Sequence, residues 1–181
     1  MARAQADHPR EALRHRIEHC GICPPDLRQR IAAQQIVPSM QPAFFWEFGH
    51  GYIANYGQER ADTMFPVRSL TAAGVTVAGG SDAPVTHYAP LFGIQQALTR
   101  ATMDGQVCGA DERVDLTTAI RMHTINGAYA SFEERNKGSI EAGKLADLVV
   151  LEDDLTRGPA DRVRDTGVAM TVVGGRIVYE A

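Results

Sequence analysis

Three short apolar runs, at residues 16–19, 36–41 and 75–78, each give way to a stretch of helix formers. No other feature of the 181-residue chain constrains its fold as much. Strands that alternate with helices pair side by side in one direction, so the pattern predicts a parallel sheet built of βα units. Helix is expected over residues 2–14, interrupted by Pro9, and over 27–35, opened by Pro24-Pro25-Asp26. It is expected again over 66–73, stopped by Gly74, and over 90–102, where Leu91, Ile94, Ala97 and Leu98 recur at helical spacing. A last helix opens on Asp115 as N-cap and runs to about residue 131.

After Gly138 the texture changes. Leu148-Val149-Val150-Leu151 reads as a strand, and residues 170–179 read as a β-hairpin turning on Gly174-Gly175. The chain therefore divides near residue 138 into a βα body, 1–137, and a segment of antiparallel strands, 138–181. Residues 42–62 fit neither pattern. They hold Phe44, Phe45, Trp46, Phe48, Tyr52 and Tyr56, threaded with Gly49, Gly51 and Gly57. Two readings stand side by side: a substrate-facing lid, or a small helical insertion packed on its own aromatics.

Composition narrows the function classes. A net charge of -4 leaves no basic footprint for nucleic acid. No apolar run approaches the roughly 20 residues of a membrane helix, and the polar N-terminal region lacks the apolar core of a secretory signal. A cytoplasmic location is the expectation. Cys20, Cys23 and Cys108 form no disulfide framework, and the Cys20-x-x-Cys23 pair has no second C-x-x-C to complete a metal site. It reads as two ordinary thiols near a strand end.

In a βα architecture, chemistry collects where strands end. His19 ends the first run, and Asp82 follows the third in the turn Gly79-Gly80-Ser81-Asp82-Ala83-Pro84. An imidazole and a carboxylate suit a divalent ion, and a carboxylate beside an acidified water can take its proton. The bland readings are a hydrogen-bonded core histidine and a turn-forming aspartate. Spacing alone does not choose between them, and two ligands fall short of the three that a catalytic zinc takes from protein.

The strings themselves carry more. Arg16-Ile17-Glu18-His19-Cys20, Ser39-Met40-Gln41-Pro42-Ala43-Phe44 and Gly80-Ser81-Asp82-Ala83-Pro84-Val85 resemble, in order, the later barrel motifs of amidohydrolase family 3, which includes the N-substituted formamide deformylase-like enzymes. His123-Thr124-Ile125-Asn126-Gly127-Ala128, the segment 138–151 with Gly143-Lys144-Leu145-Ala146-Asp147-Leu148, and the closing Val172-Val173-Gly174-Gly175-Arg176-Ile177-Val178-Tyr179 extend the likeness over nearly the whole chain.

This resemblance implies the last three units of a TIM-type (β/α)8 barrel, followed by strands of a small β-sandwich. It implies a hydrolase of non-peptide carbon–nitrogen bonds acting on a small amide or formamide, with a divalent metal, zinc being the expected ion, as one or two ions. Carried over by position, His19 is a metal ligand of the sixth strand. Asp82, on the eighth, is a metal ligand and the catalytic proton acceptor. Gln41 faces the substrate. Apart from the resemblance, the 42–62 region offers Trp46 as a pocket residue, and Arg60 and Arg68 are candidates to meet a substrate carboxylate. The H-x-H of the first strand, the bridging residue of the fourth and the histidine of the fifth have no match here, since His8, His15 and His50 fit no motif. The chain is then expected to need a missing N-terminal half or another copy of itself. An inactive remnant, or a small-ligand module built on the region around Trp46, are the alternatives.

Overall fold

The computed structural model describes residues 2–11 and 13–181. Strands β1 (Arg16–Glu18), β2 (Val37–Met40) and β3 (Ala78–Gly79) form a parallel sheet in the order β1-β2-β3. Arg16 pairs with Val37, and Ser39 pairs with both Glu18 and Ala78. The middle strand is buried on both faces, as Met40 at 0% exposure illustrates, which is why it reads as an apolar run rather than an alternation.

Helix α1 (Ala2–Asp7) stops short of Pro9, so the helix expected over 2–14 is half that length. Helix α2 (Pro25–Ala33) starts on a proline, whose missing N–H costs nothing in a first turn. The aromatic region is helical: α3 (Phe44–Tyr56) and α4 (Gln58–Asp62) meet at Gly57, whose φ of 79° breaks the helix. A loop-like lid is therefore not what these residues form. Phe44 and Phe45 are buried, each edge-on to Phe65 at centroid distances of 5.9 and 5.3 Å. Gly49 is there for packing, since a Cβ would sit 2.5 Å from Thr102 Cγ2.

Helix α5 (Val67–Ala72) leads to β3, which is shorter than the run at 75–78 suggests. Val75 and Val77 are buried, but only Ala78 and Gly79 enter the ladder. Helix α6 (Pro90–Thr99) ends at Arg100 in left-handed conformation. The helix expected from Asp115 to 131 is two helices, α7 (Leu116–His123) and α8 (Ile125–Ala130), broken at Thr124 with φ -126° and ψ -100°. The break has a visible consequence: Asn126 Nδ2 donates to the Val77 carbonyl at 2.9 Å, tying α8 to the sheet beside β3. Asp115 caps α7 as expected, accepting from Thr118 N–H at 2.7 Å.

Strands β4 (Leu148–Leu151), β5 (Val168–Val173) and β6 (Arg176–Glu180) form a separate antiparallel sheet in that order, and β5 and β6 turn on Gly174 and Gly175. Both glycines hold positive φ, as a tight hairpin requires. Between β4 and β5 the chain returns to the βα body. Val163 packs on Ile94, Ala97 and Ala119 in a second core, and Arg164 N–H donates to Gln95 Oε1 at 2.9 Å. No helix among the described residues is long and apolar enough to cross a membrane.

Candidate functional site

β2 organises the site. His19 N–H donates to the Ser39 carbonyl at 2.8 Å, and Gly80 N–H donates to the Met40 carbonyl at 3.0 Å. The residues just past β1 and β3 are thereby brought to the same end of the sheet. There the chain turns sharply: His19 and Cys20 hold φ of 64° and 49°, and Asp82 holds 56°. Left-handed backbone costs an L-residue roughly 1–2 kcal/mol, so both candidate ligands sit where the chain bears strain.

The His19 and Asp82 side chains approach each other at this end of the sheet. His19 Nδ1 lies 4.0 Å from Asp82 Oδ2, too far for a hydrogen bond but within ion-pair range. His19 Nδ1–H donates to Gln41 Oε1 at 3.0 Å, and Gln41 Nε2 donates to the Ser39 carbonyl at 3.2 Å. Gln41 is 4% exposed, so both ends of its amide are committed inside the protein. Because an amide oxygen only accepts, the proton of neutral His19 stays on Nδ1 and the Nε2 lone pair is free. The ring stacks on Phe44 with centroids 5.8 Å apart. About half of the His19 side chain and 40% of the Asp82 side chain face solvent.

The other candidates lie apart. Trp46 packs edge-on against Phe92 at 6.0 Å, with the Arg164 guanidinium 4.7 Å over its ring. Arg60 is exposed on α4 with its guanidinium 5.6 Å from the Tyr56 ring, and Arg68 donates to the Asp111 carbonyl at 3.1 Å. His50 pairs with Asp104 at 3.2 Å, away from the strand ends. Cys20, Cys23 and Cys108 are free thiols. Cys20 keeps its proton by donating it to Cys23, with burial adding, so its pKa is pushed up, whereas accepting that bond draws Cys23 down.

One residue escaped the sequence reading although its motif was noted. His123, at the end of α7, fits between Gly79 and Gly93 so closely that a Cβ on either would come within 2.8 Å of its ring. Its Nε2 is buried without a hydrogen-bond partner, and burial holds its pKa at about 4, so the ring is neutral. The legible signal was the pair of glycines, one at the end of a strand and one inside a helix, where glycine is otherwise unfavourable.

An imidazole whose second nitrogen is held by an amide oxygen, beside a half-exposed carboxylate, is a donor set that a divalent ion accepts. It supplies two ligands. No group of three His, Cys, Asp or Glu side chains able to hold a metal occurs among the described residues.

The family model described as "Amidohydrolase family" matches residues 1–179. The chain is 37% identical over 166 residues to the N-substituted formamide deformylase of Arthrobacter pascens, covering 91% of this chain and 31% of that protein. Among solved structures, an uncharacterized metal-dependent hydrolase from Pyrococcus furiosus superposes with a TM-score of 0.60 at 26% identity, over 71% of this chain and 26% of that one. A zinc-bound adenosine deaminase from Xanthomonas campestris shares the fold, with a TM-score of 0.64 at 18% identity, covering 90% of this chain and 36% of that one. The chain thus spans about a third of the length of the deformylase it matches.

Proposed function

Because this chain belongs to the amidohydrolase family, we propose that it supplies the last third of a metal-dependent hydrolase acting on a carbon–nitrogen bond of a small amide or formamide. The observation that carries this is the convergence of His19, Gln41 and Asp82 at the end of one parallel sheet. In this reading β1, β2 and β3 are strands six to eight of a (β/α)8 barrel, and residues 138–181 contribute strands to the accompanying β-sandwich. The first five strands and the remaining ligands come from outside this chain, as the one-third coverage of its relatives suggests.

His19, through Nε2, and Asp82 would hold the divalent ion, with zinc favoured by the imidazole donor. When bound, such an ion supplies Lewis acidity and lowers the pKa of water. Gln41 keeps the His19 ring in one tautomer and one orientation. Asp82 accepts a proton from the attacking water and returns it to the leaving nitrogen as the carbon–nitrogen bond breaks. Its exposure leaves room for a substrate beside it.

The test is metal content. Purified chain is loaded with zinc, desalted and analysed by elemental analysis beside His19→Ala and Asp82→Ala variants. About one ion per chain, lost in both variants, supports the reading. Variants that hold as much zinc as the parent chain overturn metal binding by these two residues, and a parent chain that holds none shows that two ligands do not retain the ion without those supplied from outside it.

A further inference from the structure

The loop that carries Asp82 inverts the usual order of burial. Thr86 is buried, at 6% exposure, while Asp82, Ala83, Pro84, Val85, His87 and Tyr88 around it are exposed. Burial of apolar surface alone would turn Val85 inward and leave the threonine hydroxyl in water. The hydroxyl accounts for the inversion. Thr86 Oγ1 donates to the Ser81 carbonyl at 2.5 Å, back across the turn that holds Asp82.

A peptide group is planar, so a hydrogen bond to either of its ends constrains the whole unit. The unit ahead of the Asp82 Cα, made of the Ser81 carbonyl and the Asp82 N–H, is held by Thr86. The unit behind it, made of the Asp82 carbonyl and the Ala83 N–H, is held twice. Val85 N–H donates to the Asp82 carbonyl at 2.8 Å, and Ala83 N–H donates to Ser81 Oγ at 3.2 Å. Two constrained planes that meet at one Cα set φ and ψ there, and with them the direction of Cβ. At Asp82 φ is 56°, a conformation that an aspartate in a free chain visits only occasionally. His19 does not supply the constraint, because its Nδ1 stands 4.0 Å from Asp82 Oδ2, beyond hydrogen-bond reach, and bonds Gln41 instead.

We propose that Thr86 is the positioning residue for Asp82, holding the plane ahead of it so that the carboxylate keeps its approach to His19. This rests on the reading of Asp82 as the reacting carboxylate, and it adds to that site a residue that touches neither substrate nor metal. A hydroxyl suits the task, since it donates one hydrogen bond and brings no charge beside the carboxylate. Of the three bonds that cross the turn, this is the one whose donor belongs to a buried residue, where water competes least. It is also made by a side chain, so it can be removed without touching Asp82, His19 or Gln41.

The experiment compares three variants of the 181-residue chain with the parent. Thr86→Val and Thr86→Ala both remove the hydroxyl, the first keeping its branched shape and the second adding no bulk, while Thr86→Ser keeps the hydroxyl. Two quantities are read by NMR: the hydrogen-exchange rate of the Val85 amide, and the HN–Hα coupling of Asp82, which reports its φ. Without the hydroxyl, Val85 should exchange about tenfold faster, the factor that one ordinary hydrogen bond supplies, and the Asp82 coupling should depart from the parent value. Thr86→Ser should keep the coupling, with an exchange rate within about twofold of the parent. Parent-like readings in a folded variant without the hydroxyl overturn the proposal, as does failure of Thr86→Ser to restore them. A lower melting temperature with both readings unmoved would assign Thr86 to packing alone. Neither reading needs zinc, so a parent chain that holds no zinc bears on metal loading and not on Thr86. Where the parent retains zinc, the variants without the hydroxyl should hold it about tenfold more weakly, and an unchanged affinity also overturns the proposal.

Discussion

His19 Nδ1 and Asp82 Oδ2 stand 4.0 Å apart, and each residue reaches that position on left-handed backbone, at φ 64° and 56°. The approach of these two side chains therefore comes with local strain, which clusters at functional sites. His19→Gly should relieve it. Glycine takes positive φ freely but loses more entropy on folding, so the expected net gain is up to about 1 kcal/mol, read as a higher urea midpoint at unchanged slope. Zinc uptake should vanish in the same variant. A lower midpoint would show that the contacts to Phe44 and Gln41 outweigh the strain.

Gly93→Ala tests the packing around His123. In an open helix this change should stabilise by roughly 0.5–1 kcal/mol. Here the new Cβ would lie 2.8 Å from His123 Cε1, so overpacking of about 1–3 kcal/mol should win and the variant should melt lower. Combined with His123→Ala, the same change should be neutral or favourable. A double-mutant cycle by thermal melting reads the coupling, and additivity of the two changes would rule out the steric account.

Arg100 is 2% exposed and faces no carboxylate at bonding distance. Its guanidinium donates to the carbonyls of Met64, Phe65 and Cys108 and lies 4.1 Å over the Phe45 ring. Burial draws its pKa down to about 10, so it stays charged at neutral pH. Arg100→Met removes every donor and leaves three carbonyls without that partner. A loss of about 3 kcal/mol or more in chemical denaturation is expected, and Arg100→Lys should recover only part of it because an ammonium cannot span the same carbonyls. A loss under about 1 kcal/mol in Arg100→Met would mean that water satisfies them.

Acid should loosen the tie between the N-terminal segment and Glu134. Arg14 makes two hydrogen bonds to Glu134, at 2.6 and 2.8 Å, and lies 3.7 Å over the Tyr129 ring. The paired guanidinium holds the Glu134 carboxyl at about 2, below its ordinary 4.5. A depressed folded pKa contributes stability above the ordinary value and loses it as pH falls from about 4.5 toward 2. Melting temperatures across that window should fall more steeply for the parent chain than for Arg14→Leu. Parallel curves would remove the pair from the acid response.

What the sequence disclosed follows the range of the interactions involved. The βα order, the cap at Asp115 and the Gly174-Gly175 hairpin depend on residues a few positions apart, and they were legible. The pairing of His19 with Asp82 depends on residues sixty positions apart, and it was legible only through the order of the motifs. Residues 42–62 misled as far as their glycines suggested a loop, because Gly49 serves a contact with Thr102 that no local pattern encodes. The helix break at Thr124 was missed for the same reason, since its visible partner is the Val77 carbonyl, nearly fifty residues upstream. His123 stayed unread because what marks it is a missing partner, and spacing cannot show that.

The bond from Asn126 to Val77, with Val163 packed on α6, sets a timetable for the chain as it leaves the ribosome. The turn carrying Asp82 is synthesised before the groups that hold its neighbourhood, His123 and Asn126, which emerge some forty residues later. The apolar face of α6 waits still longer, for residue 163. At typical rates of synthesis, about 5–20 residues per second, the nascent site spends seconds with its walls unbuilt. Whatever shields the apolar residues of α6 in that interval acts on the growing chain, before any metal or substrate can contribute to its stability.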